Sequence, residues 1–263
     1  MSSKKITPET IRKMKGLQCI AALTVYDYPM TRLLDEAGVP LLLVGDSLGM
    51  VMLGFPDTTH VTMDHMEHHV SAAARAHPNA LLTADLPYHS YETPAQAVIN
   101  AKRLINAGAE AVKAEGGRRI APQIKAIVDS GIPFCGHLGM LPQSILEEGG
   151  YKIKGRNESE RTDLLADAEA VETAGAFALI LELVTPAVAS EITTSRSIPT
   201  IGIGSGVECD GQILVTHDLL GTFPWFTPKF VKPRMLGSVL MREAVEGWLD
   251  SIQNTKLSCK KNG

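Results

Sequence analysis

The chain has 263 residues, 44% of them apolar and 21% charged, enough to bury a large core within a single domain, 1–263. A formal net charge of -4 with no local basic patch argues against nucleic acid or an anionic membrane as partner, which leaves small molecules as the expected ligands. No apolar run approaches the roughly 18 residues that cross a bilayer, and the opening MSSKKITPET lacks the apolar stretch of a signal peptide, so a cytoplasmic protein is expected.

In chain order, Thr7 and Pro8 mark a helix start, and Ile11 and Met14 follow at helical spacing before Gly16 ends the pattern. CIAALTVYD reads as a first strand reaching Asp27, and YPMTRLLDEAG as a helix stopped at Gly38. LLLVG is a short run buried on both faces, with Asp46 and Ser47 standing where it ends. MVMLGFPDTTHV reads as irregular, followed by a helix from Val61 to about Ala76. ALLTADLP is a third strand carrying Asp85, and the turn PYHSYETP leads into the helix AQAVINAKRLINAG. AVKAEGG brings Lys113 and Glu115, RRIAPQIKAIVDSG is a helix, and IPFCGHLGM ends near His137. The weakly patterned LPQSILEEGGYKIKGRNESE follows a strand and reads as a lid. RTDLLADAEAVETAG is a helix, ALILELV a sixth strand carrying Glu182, TPAVASEITTSRS a helix, IPTIGIGSG a seventh strand and QILVTHDLLG an eighth. A Phe- and Pro-rich segment, a helix over about 236–250 and a polar, frayed tail at 251–263 complete the chain.

Eight strand-like runs alternating with helices predict parallel strands with right-handed crossovers, most simply a (β/α)8 TIM barrel whose N-terminal helix plugs one end; a doubly wound open sheet is the alternative. Both folds place ligands at the carboxyl ends of their strands. His65, His68 and His69 look like a metal cluster; His65 and His69 share a helical face, but no third ligand is nearby, so a helix surface is preferred there to a metal site. Gly202, Gly204 and Gly206 are spaced GxGxG with no long helix following, which argues against a dinucleotide loop. Cys19, Cys135, Cys209 and Cys259 lie far apart and read as free thiols.

The strand ends carry the chemistry. Asp46 and Asp85 close neighbouring strands and can converge on one cation, with Glu115 helping directly or through water; such an all-oxygen set favours Mg²⁺. Lys113 suits a substrate carboxylate, with a salt bridge to Asp85 or Glu115 as the structural alternative. Glu182, following ALIL, is partly desolvated and suits a general base, and His137 can donate to an enolate or alkoxide oxygen. Residue type and order thus reach a metal-dependent lyase or transferase acting on an oxo acid.

The combination VGDSLGM, TADLPY, AVKAEGG, GHLGMLPQS, GAFALILELV and IGIGSGVECDGQILVTHDLLG resembles the 3-methyl-2-oxobutanoate hydroxymethyltransferase (ketopantoate hydroxymethyltransferase) family from about Met14 to Ala244. The resemblance implies a (β/α)8 enzyme of pantothenate biosynthesis that moves a hydroxymethyl group from 5,10-methylenetetrahydrofolate to 3-methyl-2-oxobutanoate, giving 2-dehydropantoate. It implies Mg²⁺ held by Asp46, Asp85 and Glu115, substrate contacts at Asp46, Ser47, Asp85 and Lys113, a pocket histidine at His137, a catalytic base at Glu182 and a homodecamer. The sequence departs from the family pattern at Tyr88, His89 and Pro233, none of them catalytic. Two other readings compete: a Mg²⁺-dependent mutase or lyase of the phosphoenolpyruvate mutase/isocitrate lyase type, and a barrel that binds an oxo acid without turnover.

Overall fold

The computed structural model describes residues 4–261, the side chains at 147–148 and 254–261 excepted. It falls into two compact units, residues 1–214 and 215–263. The thiol expected at Cys259 lies outside the described side chains, whereas Cys19, Cys135 and Cys209 are free. Among the described residues no helix is long and apolar enough to cross a membrane.

The first unit runs α1 (Pro8–Lys13), β1 (Ile20–Thr24), α2 (Tyr28–Glu36), β2 (Leu41–Val44), α3 (Leu48–Val51), α4 (Met63–Ala74), β3 (Leu81–Asp85) and α5 (Pro94–Ala107). It continues through β4 (Ala111–Glu115), α6 (Ala121–Asp129), β5 (Phe134–Gly139), α7 (Ile145–Glu148), α8 (Glu158–Thr173), β6 (Ala178–Glu182), α9 (Pro186–Ser195), β7 (Thr200–Ile203) and β8 (Gly211–Leu214). The eight strands close into one barrel in sequence order, and every neighbouring pair is parallel. The barrel expectation holds, and the open sheet is excluded by the β1–β8 pairing.

Strand periodicity of two sorts the core into two clusters. Leu42, Val44, Leu82, Ala84, Val112, Ala114, Leu179 and Leu181 pack outward with the helices. Ile20, Ala22, Leu41, Leu43, Leu81, Ala111, Cys135, Ala178, Ile180, Ile201 and Ile213 pack together inside the barrel. Ile11 of α1, with 0% exposure, joins the inner cluster, so the N-terminal helix does plug the barrel. Two lysines fasten that end. Lys5 donates to the carbonyls of Pro78 and Ala80 and pairs with Glu110, while Lys15 pairs with Asp210 and donates to the Thr193 carbonyl.

Several local readings are corrected. The span taken as irregular after β2 contains α3 and a single 3-10 turn at Thr58–His60, and α4 begins at Met63, where the Thr62 side chain caps it. Strand eight does not extend through QILVTHDLLG. It stops at Leu214, and THDLL forms a helix, α10 (Thr216–Leu220), ended by Gly221 in the left-handed region. The apolar run is broken by Thr216, His217 and Asp218, and it is at this break that the strand gives way to the helix. The second unit also holds α11 (Gly237–Lys261), which takes in positions 251–261.

Candidate active site

The parity that buries Leu81, Ala111, Cys135 and Ala178 inside the barrel is continued by residues toward the carboxyl ends of the same strands. Asp85, Lys113, Glu115, His137 and Glu182 all fall on it, as even-numbered steps along β3, β4, β5 and β6. Register then sets neighbours: Asp85 lies opposite Lys113, and Glu115 opposite His137. Four of the five are 2–3% exposed, so a concentrated set of charges is held in a low-dielectric interior.

Lys113 Nζ stands 2.6 Å from Asp85 Oδ1. Burial, the largest single influence, works against the lysine's charge, but Asp85, Glu115 and Asp46 outweigh it and hold its pKa above the ordinary value. Asp46 sits just past β2, where its backbone N–H donates to Asp85 Oδ2 at 3.0 Å. Gly45 leaves room for the Ser47 side chain, since a Cβ there would come to 3.0 Å from Ser47 Oγ. Burial first, then the charges of Asp85 and Glu115, push the Asp46 carboxyl well above its usual range, against the pull of Lys113 and Gln143.

His137 lies between two carboxylates. Its Nδ1 is 3.4 Å from Glu115 Oε1 and its Nε2 is 3.2 Å from Glu182 Oε2, within ion-pair range but not aligned as hydrogen bonds. Burial and Lys113 press the imidazole toward neutrality, and Glu115 and Glu182 override them, pushing its pKa up to about 9. Ser47 Oγ shares a 2.8 Å hydrogen bond with Tyr26 OH. All seven residues singled out in the sequence therefore lie at one end of the barrel: Asp46, Asp85 and Lys113 in one set of contacts, Glu115, His137 and Glu182 in another, and Ser47 beside Asp46.

Three further residues of this end were not read from the sequence. Tyr26 holds Ser47, and Gln143 links Asp46 to Glu115. Tyr91 donates its hydroxyl to Gln143 Oε1 at 2.6 Å, its pKa raised by burial and by Glu115. The only sequence signal was position: Gln143 and Tyr91 follow strands whose ends carry charge. The segment 141–157 begins at this site and returns to it, because Lys154 pairs with Val184 beside Glu182 through Lys154 N to Leu183 O (2.8 Å) and Thr185 N to Lys154 O (2.9 Å). Its Tyr151 has a pKa pushed up to about 12 by burial and then by the charges of Glu182 and Asp46.

The histidines of α4 have local partners: His65 accepts from the Thr62 backbone N–H, and His69 Nδ1 is 2.7 Å from the Tyr26 carbonyl. Among the described residues no three His, Cys, Asp or Glu side chains stand together as a complete metal-holding group. The donor set nevertheless suits a hard cation that keeps water or substrate oxygens. Three buried carboxylates face one lysine, and Glu115 Oε1 is buried with no hydrogen-bond donor.

The family model for ketopantoate hydroxymethyltransferase matches residues 5–258. The chain belongs to the ketopantoate hydroxymethyltransferase family. It is 51% identical to the 3-methyl-2-oxobutanoate hydroxymethyltransferase of Moorella thermoacetica, covering 96% of this chain and 95% of that one. It is 48% identical to the enzyme of the same name from Ignicoccus hospitalis, over 95% and 96% of the two chains. Among solved structures it superposes on 2,3-dimethylmalate lyase, a PEP mutase/isocitrate lyase superfamily member, with a TM-score of 0.62 at 17% identity, covering 91% and 86%. At that identity the likeness is one of fold. Family membership makes the chain an enzyme and a hydroxymethyltransferase, and sets aside the reading of a barrel that binds without turnover.

Proposed function

We propose that this member of the ketopantoate hydroxymethyltransferase family transfers a hydroxymethyl group from 5,10-methylenetetrahydrofolate to 3-methyl-2-oxobutanoate, giving 2-dehydropantoate, with Asp46 and Asp85 holding Mg²⁺ and Glu115 supporting it directly or through water. The observation that carries this reading is the division of the site: a carboxylate and lysine cluster on β2–β4, and a Glu115–His137–Glu182 row running away from it to β6. An oxo acid spanning the two sides would place its charged end at the first and its C–H bond at the second.

Bound at Asp46 and Asp85, the cation would withdraw electron density from the keto group and acidify the neighbouring C–H. Lys113 and Ser47 bind and orient the substrate carboxylate, Lys113 through charge and Ser47 through a hydroxyl held by Tyr26. Glu182, with a side chain only 14% exposed, accepts the C3 proton. His137, 3.2 Å from Glu182, donates to the oxygen on which charge develops and keeps Glu182 oriented. The segment 141–157, tied down at both ends, excludes water while the folate donor delivers its one-carbon unit. A homodecamer in the cytoplasm completes the reading; the exposed Trp225, Leu236, Met241 and Trp248 of the second unit offer apolar surface for assembly.

The test is proton exchange. In D₂O with Mg²⁺ the enzyme should exchange the C3 proton of 3-methyl-2-oxobutanoate without folate. Glu182→Gln should lower exchange by about 10²- to 10⁴-fold, the usual share of a general base. Folded Glu182→Gln that exchanges at the parent rate would remove Glu182 as the base and turn attention to His137.

A further inference from the structure

Gln143, on the 3-10 turn Pro142–Ser144 just after β5, is 3% exposed and uses both polar atoms of its side chain and its backbone N–H. Its Nε2 donates to Asp46 Oδ2 at 2.8 Å and to the Leu86 carbonyl at 2.9 Å. Its Oε1 accepts from Tyr91 OH at 2.6 Å, and its backbone N–H donates to Glu115 Oε2 at 3.0 Å. Two acceptors at one end of the amide and a phenol donor at the other fix which end is nitrogen. Rotating the side chain would break three hydrogen bonds in a buried site.

We propose that Gln143 is a positioning residue for the divalent cation: it holds one oxygen of Asp46 and one of Glu115, so that the second oxygen of each is presented to the metal before the metal arrives. The proposal rests on the reading that Asp46 and Asp85 bind Mg²⁺. Residue type supports it. Two buried carboxylates that repel each other need donors to stay in place; a lysine would supply them but compete with the cation, and a carboxylate would add repulsion. A neutral amide donates to both and leaves the site's charge for the metal. Glu115 shows the division of labour: Oε2 is engaged by Gln143, while Oε1 makes no hydrogen bond and has only the misaligned His137 Nδ1, 3.4 Å away, facing it. Tyr91 in turn locks the amide, and so acts on the carboxylates through Gln143.

The experiment titrates the full chain with Mn²⁺ alone, by electron paramagnetic resonance and calorimetry, with circular dichroism to measure the folded fraction. The parent should bind Mn²⁺ and Asp46→Asn should lose it. Gln143→Ala should weaken Mn²⁺ binding by about 10- to 100-fold, the usual effect of removing a residue that orients a ligand. Tyr91→Phe should weaken it about threefold, and should add nothing once Gln143 is alanine, as coupled groups do. A merely structural glutamine would lower the melting temperature and leave Mn²⁺ affinity per folded molecule unchanged. Folded Gln143→Ala binding Mn²⁺ within twofold of the parent, while Asp46→Asn loses it, overturns the proposal alone. Where Gln143→Ala fails to fold, Tyr91→Phe decides, and parental affinity there overturns it. A parent that binds no Mn²⁺, or Asp46→Asn that binds it undiminished, overturns the cation reading and the proposal together.

Discussion

Lys113→Met removes the lysine charge from beside Asp46, Asp85 and Glu115 while nearly keeping the side chain's volume. At the 2.6 Å separation from Asp85, Coulomb attraction with an effective dielectric of about 20 comes to about 6 kcal/mol. Part of that is returned, because the lysine's own desolvation no longer has to be met. Breaking one partner out of a buried pair leaves a net loss of about 3–5 kcal/mol. For a chain of this size each kcal/mol moves the melting temperature by roughly 2–4 °C, so a fall of about 6–20 °C is expected. The same arithmetic predicts rescue. A divalent cation at about 100 times its dissociation constant should restore close to 2.7 kcal/mol, through binding to the folded state only. Thermal denaturation followed by circular dichroism, first with chelator and then with Mn²⁺, measures both quantities on one sample. A chelated Lys113→Met that melts within 1–2 °C of the parent would refute the reasoning, since the buried carboxylates would then need no lysine to stay in place.

Other expectations address separate parts of the molecule. Gly139→Ala should cost about 1–2 kcal/mol from the left-handed backbone alone, at φ +98, and its Cβ would collide with the Glu182 carbonyl oxygen; activity should fall with stability, as measured by turnover against melting temperature. Lys15→Met, which removes the 2.8 Å pair with Asp210 at the far end of the barrel, should destabilise by about 2–3 kcal/mol in urea melts and leave turnover per folded molecule unchanged. Burial alone pushes Asp218 up to about 6. A carboxyl with a raised folded pKa contributes stability that is complete below its ordinary value and is lost as pH rises through about 6, so Asp218→Asn should gain on the parent above pH 6 and lose the advantage toward pH 4. After allowance for solvent screening the gain is about 1 kcal/mol, and equal melting curves at pH 5 and pH 8 would contradict it.

The sequence by itself determined a parallel α/β fold and the strand ends at which its chemistry lies; closure into a barrel was decided by the β1–β8 pairing. Alternating apolar runs and Gly-stopped helices announce parallel strands, and a period of two dictates that Asp85, Lys113, Glu115, His137 and Glu182 share the inward face of their strands. These are local properties, and every residue that expresses them is a neighbour in the chain. What only the tertiary structure decided is which of those groups touch. The His137 ring between Glu115 and Glu182 depends on the register of three strands, and nothing in IPFCGHLGM specifies that register. Where QILV stops being strand and THDLL begins its helix was likewise visible only in the structure. Gln143, Tyr91 and Tyr26 stayed invisible for a related reason. Each comes from the stretch that follows a strand's end, where no periodicity assigns a direction, and an amide or a phenol announces no chemistry until the carboxylate or hydroxyl it bonds is brought to it from another part of the chain. Asp46 and Gln143 are separated by 97 positions, and only closure of the barrel makes them neighbours.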